Sequence, residues 1–413
     1  MARHPCRQAG AVSAAGPLMD GPPPFGADRL VTLADWQDPP GNRWAFQHVR
    51  ELIPTARIRR GPGPVWELPR AERDLMGVRF GALGREWTVG EMLAGTQTDG
   101  FLVLHGGTVV TEAYDNGMEP DTPHLLMSVS KSVTAAVAGV LVGGGALDPD
   151  AAVTTVVPEL AGTSFDGATV QHLLDMRAGT RFDEDYDNLD ADVRTYEQVY
   201  LWRPRTDSAA PPDALAYFAT LGNDGDHGGP FRYRSVLTDV LAWVLERASG
   251  LRFHEAVTRL LWEPMGAEFD ADVTVDGHGN PMADGGVSMT LRDLGRFGLL
   301  YLRGGERDGV PVVPRAWVDD TVRGASDGAA AFVADEPQEG FPAGAHYRNC
   351  WWVVDPAAGF LHGSGIYGQN VYVHRPTDTV VAKLSTWPTP LSAEAAAATK
   401  AAVVAIGEHL AAG

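Results

Sequence analysis

At 413 residues, with 44% hydrophobic and 21% charged, the chain has the balance of a globular protein able to bury a sizeable core. A formal net charge of -20 argues against nucleic acid and against an anionic membrane surface as partners. Two cysteines, Cys6 and Cys350, exclude a disulfide framework and fit a reducing, cytoplasmic setting.

Residues 1–34 read as a loose, disordered tail: the first residues carry charge but lead into Ala, Gly and Ser without an apolar run, so no secretory signal is read. Residues 35–93 follow as an aromatic, proline-broken arm laid on a larger body, with a short helix expected over residues 44–52. Two strands, residues 101–105 and 109–114, meet at Gly106-Gly107, a hairpin signal.

From Thr122 to Leu147 the only fixed charge is Lys131. An ammonium in so apolar a run must be paired or neutral, and the neutral form would be a base. Val129, Val133, Ala136, Val137, Val140 and Leu141 recur at the spacing of one helical face, and Gly143-Gly144-Gly145 ends the helix. Ser128 and Lys131, three residues apart, are neighbours across one turn, so the amine can reach the hydroxyl. Two readings compete: a serine nucleophile activated by a desolvated lysine, or a serine that merely caps the helix beside a lysine reaching for solvent.

Residues 151–284 show helices and long loops with little alternation, with helices expected at Val170–Leu174 and over residues 212–221, 235–248 and 253–261. This stretch reads as a mostly helical domain inserted between two parts of a sheet domain, residues 94–150 and 285–413. Strand alternation returns over residues 350–354, 370–374 and 379–386, before an alanine-rich last helix capped by Ser392.

A hydrolase of this kind needs a proton carrier and oxyanion donors. Tyr233, between Arg232 and Arg234, is the candidate acid/base, its phenol acidified if the guanidiniums point inward; Ser235 is the expected N-cap of the next helix. The rival, Tyr186, sits among carboxylates that would raise its pKa, and is assigned to substrate contact. Gly363-Ser364-Gly365-Ile366-Tyr367-Gly368 matches a dinucleotide loop in letters only, because a strand follows it; its glycines would instead let the Ile366 N–H join the Ser128 N–H as an oxyanion hole. A Ser-His-Asp triad through His124 or His362 stays open, and no metal or cofactor motif stands out.

Together Ser128 to Lys131, Tyr233 to Ser235 and Gly363-Ser364-Gly365 resemble the serine β-lactamase and penicillin-recognising family, in its class C and esterase branch. Stretches such as Glu184-Asp185-Tyr186, Gly285-Gly286-Val287-Ser288 and Gly368-Gln369-Asn370 are more closely similar to the 6-aminohexanoate-dimer hydrolases, which open amides of nylon oligomers. The resemblance implies an α+β, β-lactamase-like fold with an antiparallel sheet flanked by helices. It implies that Ser128 attacks, Lys131 accepts its proton, Tyr233 relays that proton and Tyr186 closes over a small-molecule amide or ester. Glu197 and Asp284 would face an alkylammonium group, with Ser364, Gly365 and Tyr367 as further contacts. Gly363 replaces the third-motif lysine, which disfavours β-lactams, and Tyr367 stands where the closer family has histidine, which alters the pocket wall. The alternatives are a carboxylesterase without amidase activity and a ligand-binding protein of the same fold without catalysis. A homodimer is compatible with the sequence.

Overall fold

The computed structural model describes residues 18–413, except 209, 336, 337 and 339; Cys6 and the first half of the expected tail lie outside the described residues. Seven strands build the main antiparallel sheet: β1 (Thr98–His105), β2 (Thr108–Tyr114), β3 (His346–Arg348), β4 (Trp351–Asp355), β5 (Phe360–Gly365), β6 (Gln369–His374) and β7 (Thr379–Ser385). Their order is β3-β4-β5-β6-β7-β1-β2, so the hairpin β1-β2 adds to the late strands where β7 pairs with β1, Thr379 facing His105. Successive side chains of a strand point to opposite faces, and the two faces bury separate cores. Leu102, Leu104, Val371, Val380 and Ala382 enter the larger one. Phe101, Val103, Tyr372 and Val381 enter the smaller one, under the C-terminal helix Ala393–Ala412.

On the larger-core face lies the helix Val129–Gly143, here α1, which is buried on nearly all sides, Ser130, Lys131, Ser132 and Thr134 included. The apolar stripe expected from the sequence is therefore only part of a helix enclosed all round, the pattern of a core helix. Gly139 allows this: a Cβ there would stand 2.6 Å from the Trp317 ring. The helix stops as expected, with Gly144 as C-cap and Gly145 at φ +71°. A second buried helix, α2 (Val236–Ser249), packs beside it, and α3 (Leu291–Leu302) lies on the sheet through Gly295 and Gly298.

Several local expectations need correction. The helix expected over residues 44–52 is two pieces, Gly41–Ala45 and a 3-10 turn Val49–Glu51. His48 breaks it by stacking on Trp44 at 4.3 Å while its Nδ1 meets the Trp44 carbonyl at 2.7 Å. Residues 18–34 run as turns along the body, with Val31 buried at 3% exposure. The stretch read as helical also contains a strand, Ala271–Thr274. It pairs with Thr55–Ile58 of the arm and with Val287–Met289 in a second, four-stranded sheet. That strand is four residues long and buried throughout, so it offers no alternation to detect. Among the described residues no helix is long and apolar enough to cross a membrane.

Candidate active site

Ser128 occupies the N-cap of α1, yet its side chain makes no capping bond. Its Oγ instead receives a hydrogen bond from Lys131 Nζ at 2.8 Å. Lys131 is 1% exposed; its amine also donates to the Asp284 carbonyl at 2.9 Å, stands 3.6 Å from Asp284 Oδ2 and lies 5.0 Å from the centre of the Tyr233 ring. The capping and snorkelling reading is thereby overturned. Met127, just before Ser128, holds φ +47°, an uncommon backbone state for a side-chain-bearing residue and one that recurs at functional turns.

The charge state differs from the neutral amine read in the sequence. Burial pushes the Lys131 pKa down, but Tyr233, Asp284 and Glu184 together outweigh it and hold the amine well above its ordinary value. The net direction favours the ammonium at rest. The arginines flanking Tyr233 also fail to act as expected, because they point away from the phenol. Arg232 pairs with Asp335 and Asp224, and Arg234 pairs with Asp224 and the Ala178 carbonyl. Burial raises the Tyr233 pKa, with Lys131 and a hydrogen bond to Ser128 pulling it back, so Tyr233 rests as a phenol.

Tyr186 lines the cleft, and its hydroxyl donates to Glu184 Oε1 at 2.6 Å. Burial and Glu184 raise its pKa well above the usual range, the direction expected from its acidic neighbours. Glu184, which the sequence reading passed over, also takes the Ser235 N–H at 2.7 Å and the Ser235 Oγ at 2.5 Å. Ser235 is thus at the N-cap of α2, as expected, but bonds Glu184 rather than its own helix. A second missed acid is Asp239 of α2, 2% exposed, which accepts the Asp284 N–H at 2.9 Å and the Tyr196 hydroxyl. The signal was available. Asp239 is the one fixed charge between Ser235 and Leu245, the same anomaly that marks Lys131.

The remaining candidates separate. Glu197 lines the cleft but is held by Arg194 at 2.9 Å, Arg203 at 2.5 Å and Gln37 at 3.1 Å, so its charge is already answered. Asp284 also lines it and is 4% exposed, and its Oδ1 has no hydrogen-bond partner. A Cβ on Gly365 would stand 2.6 Å from the Leu126 carbonyl and 3.0 Å from Ser128 N, so the end of β5 passes against the backbone of Ser128. Ile366 then joins Ser128 in the cleft lining. Ser364, Gly365 and Tyr367, expected as substrate contacts, are outside that lining: Ser364 pairs in register with Asn370, and Tyr367 packs edge-on against Phe46 at 5.2 Å. Neither histidine serves Ser128. His124 bonds Asp99 at 3.2 Å and the Leu125 carbonyl at 2.9 Å, and His362 bonds Asn370 at 2.8 Å.

Ser128 lines the cleft, while Lys131 and Tyr233 stand behind that lining, the amine on the Ser128 hydroxyl at 2.8 Å and 5.0 Å from the centre of the Tyr233 ring. The Beta-lactamase family description matches residues 88–406. The chain belongs to the Beta-lactamase family. It is 43% identical over 361 residues to the 6-aminohexanoate-dimer hydrolase of Paenarthrobacter ureafaciens, covering 87% of this chain and 89% of that one. Among solved structures, a Bacillus anthracis protein provisionally named a 6-aminohexanoate-dimer hydrolase matches with a TM-score of 0.84 at 26% identity, over 92% of this chain and 97% of that one. EstCE1, a hydrolase with promiscuous acyltransferase activity, shares the fold alone, with a TM-score of 0.58 at 18% identity over 76% of this chain and 98% of that one. This Beta-lactamase family member has the β-lactamase-like α+β fold that the motifs implied.

Proposed function

We propose that the chain is a serine hydrolase that opens linear amide or carboxylic ester bonds through an acyl-enzyme, with Ser128 as nucleophile, Lys131 as its base and Tyr233 as the proton carrier to the leaving group. The observation that carries this reading is the 2.8 Å contact between a fully buried amine and a helix-capping serine that does not cap. Ser128 Oγ adds to the carbonyl carbon while its proton passes to Lys131 in its amine form. The oxygen of the tetrahedral intermediate lies between the Ser128 and Ile366 N–H groups, where two fixed donors stabilise the developing charge. Collapse expels an amine or alcohol that takes a proton through the Tyr233 phenol, and water then hydrolyses the acyl-enzyme by the reverse relay.

A relative named for a 6-aminohexanoate dimer points to a substrate with a terminal ammonium. Of the two candidate carboxylates, Asp284 is the better receiver, because its Oδ1 is unpartnered while Glu197 is ion-paired twice. A cytoplasmic location belongs to the same reading, consistent with Cys350 as a buried free thiol, and so does a homodimer. Ser128→Ala is expected to abolish both covalent labelling by a fluorophosphonate and the burst of p-nitrophenol from p-nitrophenyl acetate; an undiminished burst refutes the assignment.

A further inference from the structure

The site as it stands has its base blocked, since a protonated Lys131 cannot accept the Ser128 proton. The group best placed to change this is Asp284. It faces Lys131 with Oδ2 at 3.6 Å, it lines the cleft while only 4% exposed, and its second oxygen, Oδ1, is buried without a hydrogen-bond partner. A buried carboxylate oxygen without a donor from the protein is open to a donor that an incoming group brings.

We propose that Asp284 is a cation-responsive trigger: a positively charged group of the substrate, an alkylammonium, binds its free Oδ1 and by taking over that carboxylate releases the Lys131 amine to serve as the base. The inference rests on the nucleophile and base roles assigned above. The balance is simple. One cation enters, one proton leaves Lys131 for solvent, and the resulting amine takes the Ser128 proton during attack.

The surroundings favour this exchange. Besides Asp284, Lys131 is faced by Glu184, Asp239, Tyr233 and Cys350; burial holds Tyr233 and Cys350 as a neutral phenol and thiol and pushes the Asp239 carboxyl up, so the negative potential at the amine comes from few groups, with Asp284 at 3.6 Å among them. Asp284 is itself faced by the phenols of Tyr186, Tyr196 and Tyr200 and by Asp239, whose carboxyl burial and Asp284 push well above the usual range. Asp284 is therefore the carboxylate in contact with both the amine and the open cleft. The Asp284 main chain is fixed while its side chain responds: Asp239 holds its N–H at 2.9 Å, and Thr134 and Ser130 of α1 hold Ala283 and Val287 on either side at 3.1 Å each.

The test compares N-(6-aminohexanoyl)-6-aminohexanoate with N-heptanoyl-6-aminohexanoate, which differ only in a terminal ammonium or methyl, in pH profiles of kcat and kcat/KM. The kcat/KM profile reports the free enzyme and kcat the bound one. With the ammonium substrate the acid limb of kcat is expected about one pH unit or more below that of kcat/KM, a tenfold or greater advantage on that limb. With the heptanoyl substrate the two limbs coincide. In Asp284→Asn the free-enzyme limb moves to lower pH and the separation closes. Where amide turnover is slow, the same pair is run as p-nitrophenyl esters. Coincident limbs for both substrates in the unmodified enzyme overturn the trigger, whether or not the variant folds. Loss of the assignment itself reads out separately, as an acyl adduct that survives Ser128→Ala.

Discussion

Tyr233 stacks on Trp352 at 5.6 Å with its ring 5.0 Å from the Lys131 amine, whereas the Tyr186 hydroxyl is engaged by Glu184. Their replacement by Phe therefore separates them. Tyr233→Phe is expected to lower kcat on an amide by about 10² to 10⁴, and Tyr186→Phe by much less. On a p-nitrophenyl ester, whose leaving group needs no proton, the Tyr233→Phe deficit shrinks; steady-state kinetics on both substrates check this. The dyad was legible in the sequence because a lone charge in an apolar run demands an explanation, and the same criterion would have found Asp239. The protonation state of Lys131 was not legible, since it is set by Glu184, Tyr233 and Asp284, far along the chain. The outward turn of Arg232 and Arg234 was equally hidden, because it depends on where Asp224 and Asp335 fall.

Elements reach the site through close backbone contacts that glycine permits. At Gly365 the neighbours of an added Cβ are main-chain atoms, Leu126 O and Ser128 N, which cannot swing aside. Gly365→Ala is expected to displace the Ile366 N–H, to reduce kcat by about 10² and to cost about 1–3 kcal/mol of stability, measured by turnover beside urea unfolding. Gly139→Ala meets the Trp317 ring at 2.6 Å far from the chemistry, and is expected to cost about 1–3 kcal/mol in urea unfolding. The sequence exposes elements where a period is long enough to count: the hairpin β1-β2, α2, β6, β7 and the C-terminal helix all lie close to where alternation or helical spacing put them. The four-stranded sheet escaped because its strands have only two to four residues, and all but the edge strand Thr55–Ile58 bury both faces. The broken helix of the arm escaped because the turn at His48, whose ring stacks on Trp44, depends on local contacts that composition does not report.

Across the whole molecule one buried group couples stability to pH. Lys383 of β7 is fully enclosed; its amine meets Ser385 Oγ at 2.5 Å, and burial lowers its pKa from 10.5 to about 7 against a weaker pull from Asp99. Between about pH 7 and 10.5 the unfolded chain binds a proton at this residue that the folded chain does not. Stability from this group therefore rises with pH through that window, by about 1.4 kcal/mol per unit, and is flat below it. Lys383→Met is expected to remove that slope and to raise stability at neutral pH, seen in urea midpoints at pH 7.5, 8.5 and 9.5.

The junction of β7 with β1 also bears on how the protein comes to exist. His105 and Thr379 are neighbours although 274 residues separate them. At a synthesis rate of about 5–20 residues per second, the first hairpin waits tens of seconds on the ribosome for the strand that covers its edge. Through that interval β1 offers an unpaired apolar border to any passing chain, and α1 has no finished platform to rest on. The strand β7 must therefore be made before α1 has the finished sheet to pack on.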